Sequence, residues 1–291
     1  MKPSPTHPLL SSSSSSSPLL LILIALIVAT TSCSRLETPK PTPVPIKLRI
    51  AADDATYPLM QKLCEGYTAL NENVTFNITA GNVSTLSQLV YARQTDLAAI
   101  SRLPDKAANK TALWLGDLGL DGIAIIVSAQ NPVNSLTMQD IRDIFSGVRG
   151  EWGDFDIKER GIIAALVRED GDGTRVAFDK AVMGEIGLSK SAIVLPSIET
   201  VINYALLQPD AIGYVPSSRL DKLPAALKPI GIEGITPDRD AIRNGSYRLV
   251  RTLHLAAPQE PQGELRKFAA WVLGPDGQKI VAAMNYVPIT R

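Results

Sequence analysis

The segment IIAALVREDGDGT, residues 162–174, joins an apolar run to a polar loop rich in glycine. The apolar run predicts a strand from Ile162 to Val167, and the pattern from Arg175 to Met183 predicts the helix that follows. In the loop between them, Arg168 supplies a permanent charge and a fork of donors, and the glycines let the backbone approach a ligand closely. Such a strand-to-helix loop can surround an anion with backbone N–H groups, so the segment indicates an anion site at a sheet edge.

Two other interpretations of this loop start from the same residues. An isolated Asp-Gly-Asp-Gly is also typical of a polar β-turn. A calcium-binding loop starting at Asp170 would need glycine where Arg175 stands and a closing glutamate where Ala181 stands. The spacing of a calcium-binding loop therefore does not fit this segment, whereas a polar β-turn remains an alternative interpretation.

Strand and helix patterns alternate on both sides of this segment. Such alternation predicts a parallel or mixed sheet flanked by helices, with ligands at the carboxyl ends of the strands. The predicted strands are residues 48–52, 74–78, 97–100, 122–128, 162–167, 211–215 and 247–255. The predicted helices are residues 58–70, 84–93 with Ser84 as N-cap, 137–145 with a capping box from Thr137 to Asp140, 175–183, 261–273 and 277–284.

Charge and histidine content exclude several function classes. The 291 residues carry 29 Lys and Arg against 29 Asp and Glu, so no global field attracts nucleic acid. Of the two histidines, His7 lies in a segment that we expect to be removed, which leaves His254. This scarcity argues against histidine metal sites and Ser-His hydrolysis. We expect no catalytic residue, no metal, no cofactor and no nucleic-acid partner.

The N-terminus has the pattern of an export signal. An unbroken apolar stretch from Leu19 to Ala29 fits the core of a signal peptide and is short for a membrane span. Small residues then lead to Cys33, as in a bacterial lipobox; an ordinary signal peptide with an incidental cysteine is the alternative. We expect a signal peptide at 1–32, and the lipidated Cys33 with a Pro-rich spacer at 33–45. Cys64 lies in an apolar pattern and is predicted to be a buried thiol.

Further motifs carry a resemblance. The loop at 168–174 is similar to an Arg-x-x-x-Ser-Gly-Thr signature, and residues 55–58 are similar to a first phosphate loop. Both belong to phosphate-binding proteins of ABC-type phosphate importers, a family of periplasmic solute-binding lipoproteins that this chain resembles from about residue 46 to residue 291. The other matches, in the same order, are residues 84–85, 96–102, 121–124, 136–147, 152, 211–215, 274–280 and 286–288.

The resemblance implies an α/β, two-lobed periplasmic-binding-protein fold of type II, with mixed sheets, flanking helices and two hinge crossovers. Residues 46–129 and 246–291 would form lobe one, and residues 130–245 lobe two. The implied function is capture of inorganic phosphate or a related oxyanion between the lobes for delivery to the permease subunits of an ABC importer. The protein would act as a monomer, exported and held by its lipid at the outer face of the cell membrane or in the periplasm.

The same resemblance implies the ligand-binding residues. Arg168 would be the bidentate cation, with Asp172 in the same loop, and the first and second loops of the family place donors on the other lobe. The implied set is Thr56, Tyr57, Ser84, Ser101, Arg102, Arg168, Asp172, Gly173 and Thr174.

Three departures from the family pattern change the charge of this site. Asp172 stands where the signature has serine, which replaces a donor by an acceptor, and Arg102 stands where some members carry an aspartate. Asp53 and Asp54 occupy a loop where members often carry serine or threonine. One hypothesis is that the acceptor for the ligand's proton moved to Asp172 while Arg102 added a cation. The other is that Arg102 and Asp172 pair across the cleft as a latch.

Two further function classes remain open from the sequence. The chain could be a sensory or regulatory oxyanion-binding lipoprotein that is not coupled to transport. A hydrolase of phosphate esters on a similar scaffold is the second alternative, although the mature chain lacks a histidine base beyond His254.

Overall fold

The computed structural model describes residues 44–103 and 113–289. The predicted signal peptide, Cys33 and all but the last two residues of the predicted spacer lie outside the described residues. No helix within the described ranges has the length and apolar character that crossing a membrane requires.

Ten strands within the described residues pair into one mixed sheet. The main path runs β2-β1-β3-β10-β4-β8-β6-β7, and β9 pairs with β4 and β5 beside it. The strands are β1 (Ile46–Ala52), β2 (Val74–Ala80), β3 (Leu97–Ile100), β4 (Trp114–Ser128), β5 (Ser135–Leu136), β6 (Ala164–Arg168), β7 (Ile193–Leu195), β8 (Ala211–Pro216), β9 (Leu227–Ile232) and β10 (Val250–Ala257).

Helices cover the faces of this sheet, as expected where strands are joined by crossover connections. Short 3₁₀ turns follow α3 and β8, and a π turn at Asp179–Met183 extends α4. The helices are α1 (Tyr57–Leu70), α2 (Val83–Tyr91), α3 (Met138–Ser146), α4 (Gly173–Phe178), α5 (Ile198–Leu207), α6 (Arg239–Asn244), α7 (Gly263–Leu273) and α8 (Pro275–Ala283).

β4 is the strand that joins the two halves of the sheet. Its first part pairs antiparallel with β10, from Gly122 opposite Val250 to Trp114 opposite Ala257. Its second part pairs with β8 and β9, and the side chains from Ile123 to Val127 are buried. The predicted strand 122–128 is therefore only the second half of a 15-residue strand. The chain passes between the two halves of the sheet twice, once along β4 and once where it enters β10. Because β10 lies beside β4, the two connections are neighbours.

Each half of the sheet packs its own apolar core. We call lobe one the part with β1, β2, β3, β10 and the first part of β4, and lobe two the part with β5 to β9 and the rest of β4. In lobe one, Leu63 and Phe268 pack on the sheet; in lobe two, Phe178 stacks on Tyr214 at 4.3 Å between ring centroids. This two-lobed α/β arrangement with mixed pairing confirms the predicted fold class. The predicted boundaries at residues 129 and 246 stay a prediction.

Several local predictions can be compared with the elements. The capping box is confirmed, since Thr137 Oγ1 accepts from Asp140 N and the Asp140 carboxylate accepts from Thr137 N. Cys64 is buried as predicted, and burial raises the pKa of its thiol to about 12. Ser84 as N-cap is wrong, because α2 starts earlier and Asn82 caps it by accepting from the N–H of Thr85. The sequence patterns also missed α5, which starts at Ile198.

Candidate functional site

The loop after β1 folds around the carboxylate of Asp53. Asp53 Oδ1 accepts from Thr56 N at 3.0 Å and from Thr56 Oγ1 at 2.8 Å. The main-chain carbonyl of Asp53 accepts from Tyr57 N at 2.8 Å. Pro58 follows at the start of α1, where its fixed φ suits the first turn and its missing N–H costs nothing. The donors predicted on Thr56 and Tyr57 are therefore bonded within their own loop.

Ser101 completes this arrangement from the end of β3. Its N–H and its Oγ lie 2.7 Å and 2.6 Å from Asp53 Oδ2. Asp53 is 1% exposed, so each carboxylate oxygen is held away from water by two donors of lobe one. Hydrogen bonds from N–H and O–H groups compensate the desolvation of a buried anion. The predicted donors of Thr56 and Ser101 thus form an anion cage, and the anion inside it is an aspartate side chain.

Arg168 lies at the end of β6 in lobe two and is only 3% exposed. Its Nε and Nη2 donate to the carbonyls of Leu195 and Pro196, at 3.2 Å and 2.8 Å. Its Nη1 lies 2.7 Å from Asp54 Oδ2 on the opposite lobe. The two carbonyls fix the plane of the guanidinium, so the fork faces the cleft in one orientation.

The loop after Arg168 supplies the N-terminus of α4. Asp172 caps this helix, with Oδ1 accepting from Arg175 N at 2.8 Å and Oδ2 lying 3.2 Å from Arg168 Nη2. Burial raises the pKa of the Asp172 carboxyl, and the charge of Asp53 acts in the same direction. The charge of Arg168 and the N–H of Arg175 offset only part of this shift. The Asp172 carboxylate, which stands at the serine position of the family signature, therefore accepts its hydrogen bonds from residues of its own lobe.

Gly173 and Thr174 bring lobe two against lobe one. A Cβ placed on Gly173 would collide with Ser101 Oγ and lie 3.0 Å from Asp53 Oδ2. Only a glycine allows the backbone of α4 to approach the cage this closely. Thr174 Oγ1 accepts from Arg251 Nη1 at 2.9 Å. Four of the predicted residues, Thr56, Ser101, Gly173 and Thr174, thus meet at the buried base of the cleft.

The two remaining predicted residues lie at the edges. Ser84 is exposed in the first turn of α2, and a Cβ on Gly171 would lie 3.4 Å from its Oγ. Arg102 is half-buried after β3, and its Nη1 lies 3.5 Å from the carbonyl of Leu103. Asp172 contacts Arg168 and Arg175. The hypothesis that Asp172 pairs with Arg102 and the hypothesis that it accepts the ligand's proton therefore both stay predictions.

The sequence analysis did not select a second buried arginine, at the hinge. Arg251 Nη2 lies 2.8 Å from Asp121 Oδ2, and the two residues face each other in the register of β10 and β4. Asp121 also accepts from Ser217 Oγ and Ser218 N on lobe two. The sequence signal was Asp121 immediately before the apolar run 122–128 and Arg251 inside the predicted strand 247–255, since charges are rare in buried strands unless they pair.

An open groove lies beside the fork of Arg168. Its volume is about 480 Å³, within the range of small-molecule sites. The described residues hold no group of three or more His, Cys, Asp or Glu side chains suited to a metal ion. Residues of both lobes line the groove: Asp54, Tyr57, Pro58, Ala80, Gly81, Asn82, Arg168, Glu169, Asp172, Pro196, Ser197, Glu199 and Arg219.

Together the fold and the cleft define a two-lobed binding protein with an anion site between its lobes. A family model described as a PBP superfamily domain matches residues 29–276. The chain therefore belongs to the PBP superfamily, the superfamily of periplasmic-binding-protein domains.

Curated relatives carry the names of phosphate-binding proteins. The phosphate-binding protein PstS of Pseudomonas aeruginosa is 25% identical over 270 residues, which cover 83% of this chain and 83% of that protein. PstS 2 of Streptococcus agalactiae is 31% identical over 108 residues. That alignment covers 37% of this chain and 37% of that relative, so it spans little more than a third of either.

Two solved structures with the same fold carry the names of phosphate transport proteins. A phosphate ABC transporter substrate-binding protein of Clostridium perfringens, with bound phosphate, superposes with a TM-score of 0.77 at 23% identity. The superposition covers 84% of this chain and 100% of the Clostridium perfringens chain. A phosphate transport receptor of Vibrio cholerae gives a TM-score of 0.70 at 22% identity, covering 83% and 100%. At this identity the likeness shows the fold.

Proposed function

We propose that this protein is an exported substrate-binding protein that captures inorganic phosphate or a related oxyanion between its lobes and presents it to the permease of an ABC importer. The observation that carries the proposal is the groove between the lobes, where Arg168 Nη1 and the N–H of Ile198 converge on the carboxylate of Asp54. Donors that hold a carboxylate in this way suit the oxygens of a phosphate. The names of the curated relatives support the same ligand class.

The mechanism we infer is a hinge closure in which no bond is made or broken. An anion entering the groove would first meet Arg168, whose orientation is fixed by the carbonyls of Leu195 and Pro196. Lobe one would then bring its donors to the other side of the anion, and the closed form would be the one that the permease recognises. Both crossovers lie at β4 and β10, so the lobes can rotate there without breaking either core.

The carboxylates of the cleft indicate which oxyanion it accepts. Asp54 and Asp172 both face the groove, so a fully ionised anion meets repulsion there. Phosphate and arsenate still carry a proton at neutral pH and can donate it to a carboxylate, whereas sulfate cannot. We therefore propose that the site prefers oxyanions that keep a proton.

We also propose the export and anchoring of the chain. The apolar stretch before Cys33 and the small residues next to it support a signal peptide and a lipid anchor. Mass spectrometry of the protein isolated from membranes should find a diacylglyceryl group on Cys33 as the first residue. A mature chain that starts elsewhere and carries no lipid contradicts the anchor.

Calorimetric titration of the full-length protein tests the ligand. Phosphate and arsenate should bind with similar affinity, and sulfate and molybdate should give little or no heat at neutral pH. The titrations are repeated across a range of pH, because the protonation of the cleft carboxylates changes with it. Absence of phosphate binding at every pH, together with binding of another oxyanion, contradicts the phosphate assignment.

The substitution Arg168→Ala tests the site itself. It removes the guanidinium charge and the Nη1 donor that faces the cleft, so phosphate affinity should fall by about 100-fold or more. Arg243→Ala is the matched control, since Arg243 is a surface residue paired only with Asp240 and should leave affinity unchanged. Equal affinity of the Arg168→Ala variant and the native protein rules out the proposed site.

A further inference from the structure

Two neighbouring aspartates at the carboxyl end of β1 have different partners. Asp53 is bonded within lobe one and is 1% exposed, so it is the anion that fills the cage of Thr56 and Ser101 donors. The side chain of Asp54 is 34% exposed and turns to the opposite lobe. The two carboxylates therefore do not have the same role, although they are adjacent in the sequence.

Both partners of Asp54 belong to lobe two. Its Oδ2 lies 2.7 Å from Arg168 Nη1 and 3.2 Å from the N–H of Ile198, the first residue of α5. An arginine fork and a helix N-terminus are two of the commonest donors to a bound oxyanion. The carboxylate of Asp54 thus occupies a position that is built for an anion, and it holds the lobes together there.

The surroundings allow this carboxylate to leave. Asp54 lines the groove of about 480 Å³, so its side chain can turn toward solvent without displacing a core residue. Arg168 keeps its bonds to Leu195 and Pro196 when Asp54 departs, so the fork stays in place for the next anion. The Asp54 carboxylate is 34% exposed, so water hydrates it once it leaves Arg168, and an incoming anion can take its place.

We propose that Asp54 is an internal anion that the ligand must replace, and that it thereby sets the affinity of the site. The inference rests on the proposed function and adds a mechanism to it. In the absence of ligand, Asp54 closes the cleft by pairing with Arg168 across the lobes. Ligand capture is then an exchange of one anion for another on Arg168 and on the N-terminus of α5.

The substitution Asp54→Asn tests the exchange. Asparagine keeps the size of the side chain and removes its charge, so phosphate should bind about fivefold tighter or more, equivalent to about 1 kcal/mol. Asp170→Asn is the matched control. It removes the same charge from the loop after Arg168, but Asp170 is 95% exposed, pairs with Arg175 and is not among the residues that line the groove. Its effect on phosphate affinity should stay below about twofold. Equal affinities of the two variants overturn the proposal.

A second measurement does not depend on the ligand. Small-angle X-ray scattering should give a larger radius of gyration for the ligand-free Asp54→Asn protein than for the native and Asp170→Asn proteins. A ligand-free Asp54→Asn protein as compact as the native one overturns the proposal, whether or not phosphate binds. If phosphate gives no heat with any of the three proteins while Asp54→Asn is expanded, the proposed function fails and the latch stands.

Discussion

Two buried arginines make different contacts between the parts of this molecule. Arg168 and Arg251 are 3% and 5% exposed at the side chain, and each pairs with an aspartate, at 2.7 Å and 2.8 Å. The partner of Arg251, Asp121, is fully buried on the neighbouring strand. Arg168 pairs with two carboxylates: Asp172 of its own lobe, which is 6% exposed, and Asp54 of the opposite lobe, which is 34% exposed. Burial of the arginine is thus similar, while burial and location of the carboxylate differ.

This difference separates a hinge contact from a cleft contact. Strand register holds Arg251 beside Asp121 within one sheet, and both side chains are buried. Arg168 loses Asp54 whenever the lobes separate. A buried pair is expensive to break on one side because the remaining charge stays desolvated, whereas a partly exposed carboxylate is hydrated as soon as its partner leaves. The first contact therefore supports the fold, and the second can take part in binding.

The largest effect should come from breaking the hinge pair. Arg251→Ala leaves Asp121 uncompensated in the interior, and the free energy of unfolding should fall by about 3–5 kcal/mol in urea denaturation. The control is Arg248→Ala, since Arg248 is 64% exposed and lies 4.0 Å from Glu233; its change should stay within about 0.5 kcal/mol.

The double variant Asp121→Leu, Arg251→Met removes both charges and keeps the result interpretable if Arg251→Ala does not fold. It should recover most of the lost stability, because neither member of the pair is left as a buried charge without its partner. Equal destabilisation by Arg251→Ala and Arg248→Ala would contradict the role of the hinge pair.

A smaller effect should follow from separating the lobes at the base of the cleft. A Cβ on Gly173 would collide with Ser101 Oγ, so Gly173→Ala should destabilise the closed form by about 1–3 kcal/mol. Scattering of the ligand-free protein should show expansion, and phosphate affinity should fall. Gly187→Ala is the control, since no atom lies within 4 Å of its added Cβ. A compact Gly173→Ala protein with native affinity would show that the lobes do not meet there.

The smallest effect concerns the pH dependence of two helix caps. Burial raises the pKa of Asp172, so the folded protein takes up this proton more readily than the unfolded chain. The ionised form of Asp172 lowers the free energy of unfolding at neutral pH. This loss is therefore recovered as pH falls through the raised pKa. Asn keeps the cap, so Asp172→Asn should be more stable than the native protein near neutral pH, with the difference shrinking on acidification.

Asp238 provides the opposite case for the same measurement. The N–H of Ala241 at the cap of α6 lowers the pKa of Asp238. The contribution of Asp238 to the free energy of unfolding is therefore present above the pKa it has in the unfolded chain, and it is lost as pH falls through the pKa it has in the folded protein. Urea midpoints of the native protein and of both Asn variants, measured from about pH 7 down to about pH 3, compare the two caps. Parallel pH trends for the two variants would contradict the assignment of Asp172 as a buried carboxylate in the cleft.

The local sequence was sufficient to predict a feature wherever the residues that form it lie within a few positions of one another. The capping box from Thr137 to Asp140, the buried Cys64 and the strand-loop-helix around Arg168 could all be predicted, because their partners lie within one or two turns of chain. The start of α2 could not, since Asn82 and Ser84 are both good caps and packing against lobe two selects between them.

The composition of the candidate site was predictable, but its bonding was not. The sequence predicted Arg168 and the glycines after it as an anion-binding loop at the end of a strand, and the family resemblance implied the hydroxyls of Thr56 and Ser101. Only the tertiary structure decided that Asp53 holds those hydroxyls and that Asp54 takes the fork of Arg168. The reason is physical: Asp54 and Arg168 are 114 residues apart, and their meeting depends on how two lobes close rather than on any local propensity.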